Sequence, residues 1–319
     1  MSGSSPNAVP ADGSPRVAFL GPPGTFTEQA LHREQDLADG ELVACESMVD
    51  VLFAVQEGAA DLGVVPIENA IEGTVNATID TLAFDVDLMI QRELVEPVSM
   101  NLLGPRGATV DGVTSILSIP VATAQCRTWL RAHAPTASHV AAKSTAEAAE
   151  TVAKSADRSV AAIANSRAAE VYGLDVLAPD IEDHPDNHTR FVVVSREGIP
   201  APTGHDKSSV VVYQRADRPG SLLAILQEFA ARSINLTLLL SRPTKTSLGD
   251  YCFLLELEGH IADEVVADCL RMLRAGQADV KFLGSYPAAG DRGNERRTEV
   301  NQAAADAARW LDELRAQIR

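Results

Sequence analysis

Short apolar runs alternate with amphipathic segments from Arg16 to about residue 196. The runs are rich in Val, Ile and Leu, as buried strands are, and they read RVAFL, DLGVVPI, TSILSI and SVAAIAN. The segments between them have helical spacing and begin at a capping residue or a proline, as in SMVDVLFAVQEG, PVATAQCRTWLRAH and TAEAAETVAKS. This alternation predicts an α/β fold with largely parallel strands, arranged as two lobes with the chain crossing between them. A cleft at such a crossing is a usual place for a small-molecule site.

A different pattern follows a linker rich in Pro, Gly and polar residues at 197–208. Residues 209–287 read as strand, helix, two strands, helix and strand, which predicts a ferredoxin-like βαββαβ domain. Outside these domains we expect a disordered tail at 1–15 and, at 288–319, a charged linker followed by a helix. That last helix has an apolar seam with a four-three spacing, formed by Val300, Ala304, Ala307, Leu311, Leu314 and Ile318.

The composition argues against several classes of protein. The net charge is -17, with 27 Lys and Arg against 44 Asp and Glu, so we expect neither nucleic acid nor an acidic membrane as a partner. The four cysteines are far apart and have no metal-ligand or disulfide spacing, so we expect no metal. The N-terminal tail lacks the features of a signal peptide, and no apolar run is long enough to cross a membrane, which favours a cytoplasmic protein. A chain this acidic must hold an anionic substrate with a local group of donors.

The stretch GPPGTFTE at 21–28 begins like a phosphate-binding P-loop and then departs from it. Phe26 stands where that loop needs a second Gly, and Thr27 stands where it needs the Lys. Thr25 and Glu28 have the spacing of a capping box, which predicts a helix start here. The free N–H groups of a helix start suit a smaller anion such as a carboxylate. The alternative without a function is an ordinary turn with its helix cap.

Two further stretches place polar residues at the ends of predicted strands. Glu68 and Asn69 follow the apolar run VVPI, and Thr189 and Arg190 precede the apolar run FVVVS at the predicted crossing. For Glu68 and Asn69 the alternative without a function is a polar turn with a helix cap. For Arg190 it is a surface ion pair.

Together these stretches resemble the prephenate dehydratases, and the C-terminal pattern resembles the ACT regulatory domain of those enzymes. In the first part the resemblance rests on GPPGTFTEQA, VVPIEN-x-x-EG, Ser118-x-Pro120 leading to AQC, YGL and NHTRF. In the second part it rests on GSLL at 220–223 and SRPT at 241–244. The resemblance covers roughly residues 16–287 and implies a two-lobed catalytic domain at 16–196, of the periplasmic-binding-protein type, followed by an ACT domain at 209–287.

The resemblance also implies the reaction and the residues that serve it. The reaction is the decarboxylating dehydration of prephenate to phenylpyruvate in phenylalanine synthesis, with feedback by L-phenylalanine on the ACT domain. The catalytic residues implied are Thr189, Arg190, Glu68 and Asn69. The residues implied to bind substrate are Gly24, Thr25, Phe26, Gln125, Asn187 and Phe191. The residues implied to bind the effector are Gly220, Leu222, Asn235, Leu236 and Ser241. ACT domains commonly pair to complete such sites, so a homodimer or homotetramer is expected.

The residue types suit this chemistry. No redox or carbanion-stabilising cofactor is expected, because the ring of prephenate becomes aromatic when carboxylate and hydroxyl leave. The barrier lies in expelling hydroxide, so we expect Thr189 to donate a hydrogen bond to that oxygen. Arg190 suits a two-point grip on a carboxylate, and Glu68 could supply a proton only if burial raised its pKa. On a regular strand Thr189 and Arg190 face opposite sides, so both reach one site only if the chain bends there.

Four residues depart from the family pattern. Ala70 stands where a Ser is common, Ile119 and Val121 stand where His and Gln are frequent, and Leu240 stands where a Glu is typical. Leu240 leaves open how the ammonium group of the effector is held. Two other functions stay open: dehydration of arogenate in place of prephenate, and a non-catalytic sensor that binds amino acids and controls a partner.

Overall fold

The computed structural model describes residues 14–214, 219–244, 251–276 and 278–289, together with 309, 310, 313, 315 and 316. The predicted tail up to residue 13 and the seam predicted for the last helix lie outside these residues. The chain divides into two compact units, Met1–Ile79 with Leu94–Val192 and Asp80–Glu93 with Val193–Arg319. Residues 80–93 therefore group with the C-terminal unit, although the sequence pattern placed them inside the first domain.

The elements of the first 195 residues mix strands and helices as predicted, although several consecutive elements are of the same type. In chain order they are β1 (Arg16–Leu20), α1 (Phe26–His32), α2 (Gln35–Ala38), β2 (Glu41–Cys45), α3 (Met48–Gln56), β3 (Leu62–Asn69), β4 (Gly73–Thr74), α4 (Asn76–Phe84), β5 (Met89–Pro97), β6 (Asn101–Gly104), β7 (Ser115–Ser118), α5 (Pro120–Gln125), α6 (Arg127–His133), β8 (Ser138–Ala141), α7 (Thr145–Ser155), β9 (Val160–Ala164), α8 (Ser166–Tyr172), β10 (Asp175–Ala178) and β11 (His188–Ser195). Local chemistry explains the helix starts: Ser47 and Ser144 each accept the N–H of the residue three positions on, and Pro120 occupies the first turn of α5.

The first sheet has the strand order β2-β1-β3-β11-β5, and β4 pairs with β3. Strands β2, β1 and β3 run parallel, and β4 runs antiparallel to β3. The neighbouring positions of β3 and β11 matter for function, because the polar ends of both strands then lie side by side.

The second sheet has the strand order β10-β6-β9-β7-β8, and helices cover both of its faces. Alternate residues of its strands enter different cores: Leu102 and Ile116 pack with Leu130 of α6, whereas Leu103 packs with Val152 of α7. Strands β7, β8 and β9 are parallel, but β6 and β10 are antiparallel to their neighbours. The prediction of largely parallel strands is therefore wrong for this part, because an apolar run has the same composition in either direction.

The C-terminal unit contains the predicted βαββαβ order. Its elements are β12 (Asp206–Gln214), α9 (Ser221–Ala230), β13 (Leu236–Pro243), β14 (Tyr251–Glu258), α10 (Glu264–Gly276) and β15 (Ala278–Pro287). The sheet is antiparallel with the order β13-β14-β12-β15, and Val210, Phe229 and Leu273 are among the buried residues of its core. Strand β12 starts at Asp206, inside the predicted linker. The α/β class and the ferredoxin-like C-terminal fold are thus confirmed.

Candidate active site

The ends of β3 and β11 bring Asn69 and Thr189 into contact. The N–H of Ala70 donates to the carbonyl of His188 at 2.9 Å, which fixes the two strand ends side by side. Asn69 Nδ2 then donates to Thr189 Oγ1 at 2.8 Å, across 120 positions of sequence. These are two of the four residues predicted to be catalytic.

The orientation of the Asn69 side chain determines what the Thr189 hydroxyl can do. Asn69 Oδ1 accepts the N–H groups of Ile71 at 3.0 Å and Glu72 at 2.9 Å, so its amide nitrogen must face Thr189. Thr189 Oγ1 therefore serves as an acceptor toward Asn69. The hydroxyl proton has no acceptor within the described ranges, which leaves it free to donate to a ligand.

Glu68 and Arg190 form a second pair at the same strand ends. Arg190 Nε lies 3.3 Å from Glu68 Oε2. Because β11 runs as a strand from His188 to Ser195, consecutive side chains leave on opposite faces, and Arg190 does not share the face of Thr189. The chain bend that would bring both residues to one site is absent here. The Glu68 side chain is 42% exposed, so it lacks the burial that a proton-donor role requires.

Gln125 of α5 joins the second lobe to this end of the first sheet. Its Nε2 donates to Glu72 Oε1 at 3.4 Å, and its Oε1 accepts from Asn187 Nδ2 at 3.4 Å. Asn187 is 2% exposed, and its Oδ1 has no hydrogen-bond partner in the part of the chain that the structure describes. The structure thus brings together Gln125 and Asn187, which were predicted to bind substrate, and adds Glu72, which was not.

The GPPGTFTE stretch is a helix start capped by Thr25, and two of its side chains accept main-chain N–H groups of the same stretch. Thr25 accepts the N–H of Glu28 at 3.3 Å and donates its hydroxyl proton to the carbonyl of Leu20 at 2.8 Å. The Glu28 carboxylate accepts the N–H of Gly24. The helix start capped by Thr25 is confirmed. Substrate binding by Gly24 and Thr25 stays a prediction, in which the Gly24 N–H and the Thr25 hydroxyl proton already have partners in the protein.

Arg167 of α8 completes this arrangement from the second lobe. Its Nε and Nη2 donate to Glu28 Oε1 at 3.1 and 2.9 Å, and Tyr172 donates its hydroxyl to the carbonyl of Pro23 at 2.7 Å. Burial opposes the charge of Arg167, and hydrogen bonds that include those to Glu28 outweigh it, so its pKa is raised. Gly24, at φ +90°, lies so near α8 that an added Cβ would be 3.1 Å from Ala168 Cα. Sequence reasoning missed Arg167, since no local pattern marks a partner 139 positions away.

The two phenylalanines predicted to bind substrate lie in different surroundings. Phe26 is half-buried and packs against the core that covers one face of the second sheet. Phe191 is 1% exposed and is one of the largest fully buried side chains. Its ring is packed in the core, so its assignment to the substrate stays a prediction.

The predicted effector residues separate into two groups. Gly220, Leu222 and Ser241 line a cavity of about 460 Å³ in the C-terminal unit, together with Tyr251 and Phe253. Asn235 and Leu236 do not line it. Among the residues that the structure describes, none of those lining the cavity is acidic. Leu240, which stands where a Glu is typical, pairs with Leu254 across β13 and β14.

Other chemistries find little support in the described residues. No group of three or more His, Cys, Asp and Glu side chains among them is arranged to hold a metal. The four cysteines are free, and burial raises the pKa of Cys126 and Cys269 to about 12, which disfavours their thiolates. None of the helices that the structure describes is long and apolar enough to span a membrane.

Comparison with known proteins identifies the family of the chain. Residues 17–199 match the family model described as Prephenate dehydratase, and residues 208–274 match that of the ACT domain. The chain belongs to the prephenate dehydratase family. It is 42% identical to the prephenate dehydratase of Mycolicibacterium vanbaalenii over 315 residues, which cover 94% of this chain and 98% of that protein.

Solved structures of the prephenate dehydratase family share the whole architecture. A prephenate dehydratase from Arthrobacter aurescens, crystallised in complex with L-Phe, is 40% identical and superimposes with a TM-score of 0.85, covering 94% of this chain and 99% of that one. A structure described as a novel type of quorum-quenching acylase is 28% identical with a TM-score of 0.77, covering 86% and 98%. The shared fold has therefore been linked to more than one activity, and residues must carry the functional argument.

Proposed function

We propose that this chain converts prephenate to phenylpyruvate, carbon dioxide and water, and that Thr189 acts at the departing hydroxyl. The observation that carries the proposal is the Asn69 side chain, whose fixed orientation leaves the Thr189 proton free. The family membership and the 42% identity to a named prephenate dehydratase support the same reaction.

The electron flow of the reaction shows what the site must supply. The bond from the ring to its carboxylate breaks, its electron pair enters the ring, and the ring becomes aromatic as the carbon–oxygen bond on the opposite side breaks. The hydroxyl leaves with one added proton as water, so one proton is consumed overall. A donor at the leaving oxygen lowers the barrier most, because negative charge develops there in the transition state.

Thr189 fits the task as a hydrogen-bond donor that passes on a proton from solvent. An alcohol with its ordinary pKa is too weak an acid to remain deprotonated, so Thr189 must regain its proton as it gives one. The amide of Asn69 stabilises the hydroxyl oxygen while the proton moves, since it donates to that oxygen at 2.8 Å.

The remaining predicted residues receive roles that follow from their contacts. Gln125 and Asn187 supply amide groups beside the same strand ends and orient the substrate. Arg190 and Glu68 pair on the other face of β11, so we assign them the positioning of the strand end rather than direct contact with a carboxylate.

We further propose that L-phenylalanine binds in the cavity lined by Gly220, Leu222 and Ser241 and inhibits the enzyme. The relative from Arthrobacter aurescens that was solved with L-Phe supports this effector. Asn235 and Leu236 lie outside the cavity of the same chain, so we propose that a second copy contributes them in a cytoplasmic homo-oligomer.

The deciding experiment incubates the purified full-length protein with prephenate and follows the absorbance of phenylpyruvate, with and without L-phenylalanine. Turnover that L-phenylalanine reduces is expected. Binding of L-phenylalanine without any turnover of prephenate would favour the sensor alternative instead. Competition between prephenate and arogenate over the same preparation then determines which of them is the preferred substrate.

A further inference from the structure

A second cavity, of about 480 Å³, lies in the second lobe between helices α5 and α6 and the edge strand β8. None of the residues assigned above to catalysis, substrate or effector lines it. Ser118 and Pro120, two residues of the family motif to which the proposed reaction gives no role, do line it. The cavity is therefore a separate feature of the molecule that needs its own explanation.

The wall formed by α6 is cationic. Arg127 and Arg131 lie four positions apart on α6 and both line the cavity, so their like charges repel each other. Neither forms an ion pair or a side-chain hydrogen bond with any residue that the structure describes, in a chain with 44 acidic residues. The carboxylate of Asp183, at the start of α6, accepts the N–H of Thr128 at 3.1 and 3.2 Å.

The opposite wall offers main-chain donors. The N–H groups of Ser138 and Ala142 donate toward β7, at 2.9 Å in each case. Because hydrogen-bonding direction alternates along a parallel strand, the N–H groups of His139 and Ala141 point to the free edge of β8. Both of these residues line the cavity.

The base of the cavity is apolar. Leu130 and Ala134 of the α6 region are 4% and 7% exposed and line the same cavity as the two arginines. Its volume falls in the range of small-ligand pockets, about 300–1,000 Å³.

We propose that this cavity binds a small apolar carboxylic acid. Its carboxylate lies between the guanidinium groups of Arg127 and Arg131 and the edge N–H of Ala141, and its hydrocarbon body lies against Leu130 and Ala134. Binding removes the repulsion between the two arginines and covers the apolar base. This site is independent of the proposed dehydration.

The probe for the test is benzoate, whose binding to the full-length protein is measured by equilibrium dialysis at low ionic strength. We expect Arg127→Gln together with Arg131→Gln to weaken binding at least tenfold. Arg158→Gln together with Arg196→Gln removes the same charge from exposed arginines elsewhere, and should leave the affinity unchanged. Equal affinity in both double variants, or no saturable binding to the unmodified protein, would overturn the proposal.

Two further measurements separate this site from the others. Ala141→Pro removes one edge N–H at a position where an edge strand tolerates proline, and should weaken benzoate binding without unfolding the protein. Binding that Ala141→Pro leaves intact would contradict the proposed geometry. Prephenate turnover should be the same in all these variants, and a loss of turnover in parallel with benzoate binding would place the benzoate in the active site and refute a separate cavity site.

Discussion

At the scale of single residues, the proposed chemistry depends on the hydroxyl of Thr189. Thr189→Ala should lower kcat by about 10²–10⁴-fold, the usual contribution of a positioned proton donor, with little change in KM. The fold should persist, because among the described residues the Thr189 hydroxyl makes a hydrogen bond with Asn69 alone. Thr189→Ser keeps the hydroxyl and is the matched control, for which most of the activity should return. Steady-state kinetics with prephenate provide the measurement, and near-normal turnover of the alanine variant would exclude this role.

Glu96 offers a residue-scale prediction about pH. Burial raises its pKa, although a hydrogen bond from Gln29 at 2.6 Å and an ion pair with Arg33 at 2.7 Å act in the opposite direction. A carboxyl with a raised pKa in the folded state stabilises the fold while it is protonated, and this contribution is lost as the pH rises from about 4.3, the value in the unfolded chain, through the raised value. Glu96→Gln stays neutral, so its stability relative to the unmodified protein should increase with pH. Urea unfolding of both proteins, at a pH below and a pH above the titration of Glu96, measures the difference in their free energies of unfolding. A difference that does not change with pH would contradict the prediction.

At the scale of elements, Glu28 and Arg167 connect α1 to α8 and fix the GPPGT turn between them. Glu28→Gln removes the charge of this pair while its side-chain carbonyl can still accept the N–H of Gly24, and we expect a loss of about 1–3 kcal/mol in stability with a raised KM. Glu170→Gln breaks the exposed pair of the same arginine, 3.2 Å long, and should cost less than about 1 kcal/mol. Thermal unfolding and prephenate kinetics of both variants provide the measurements. Equal losses of stability in the two variants would mean that the Glu28–Arg167 pair stabilises the protein no more than the exposed pair does.

The elements also show which features can be predicted from sequence. The starts of α1, α3 and α7 follow from caps that act within three residues, at Thr25, Ser47 and Ser144. The directions of β6 and β10 could not be predicted, because tertiary pairing determines them. The same limit applies to the site: a motif identified Asn69 and Thr189, but only the fold shows that the one orients the other. Residues 80–93 show the same limit of sequence-based prediction. They group with the C-terminal unit through contacts distant in sequence, such as the ion pair of Asp80 with Arg242 at 2.7 Å.

At the scale of the whole molecule, the proposed effector site spans two copies of the chain. Ser241→Leu fills the cavity, and Asn235→Ala removes the group proposed to come from the second copy, so each variant alone should lose inhibition by L-phenylalanine and keep its basal turnover.

When the two variants are co-expressed and the mixed oligomer is isolated by two different tags, one of its sites combines both changes and the other combines neither. Inhibition should therefore return at about half the sites. If Asn235 acts within its own chain, every site of the mixed oligomer carries one change, and inhibition stays absent. Titration of prephenate turnover with L-phenylalanine distinguishes these outcomes, because only residues contributed by different copies allow two defective chains to form an intact site.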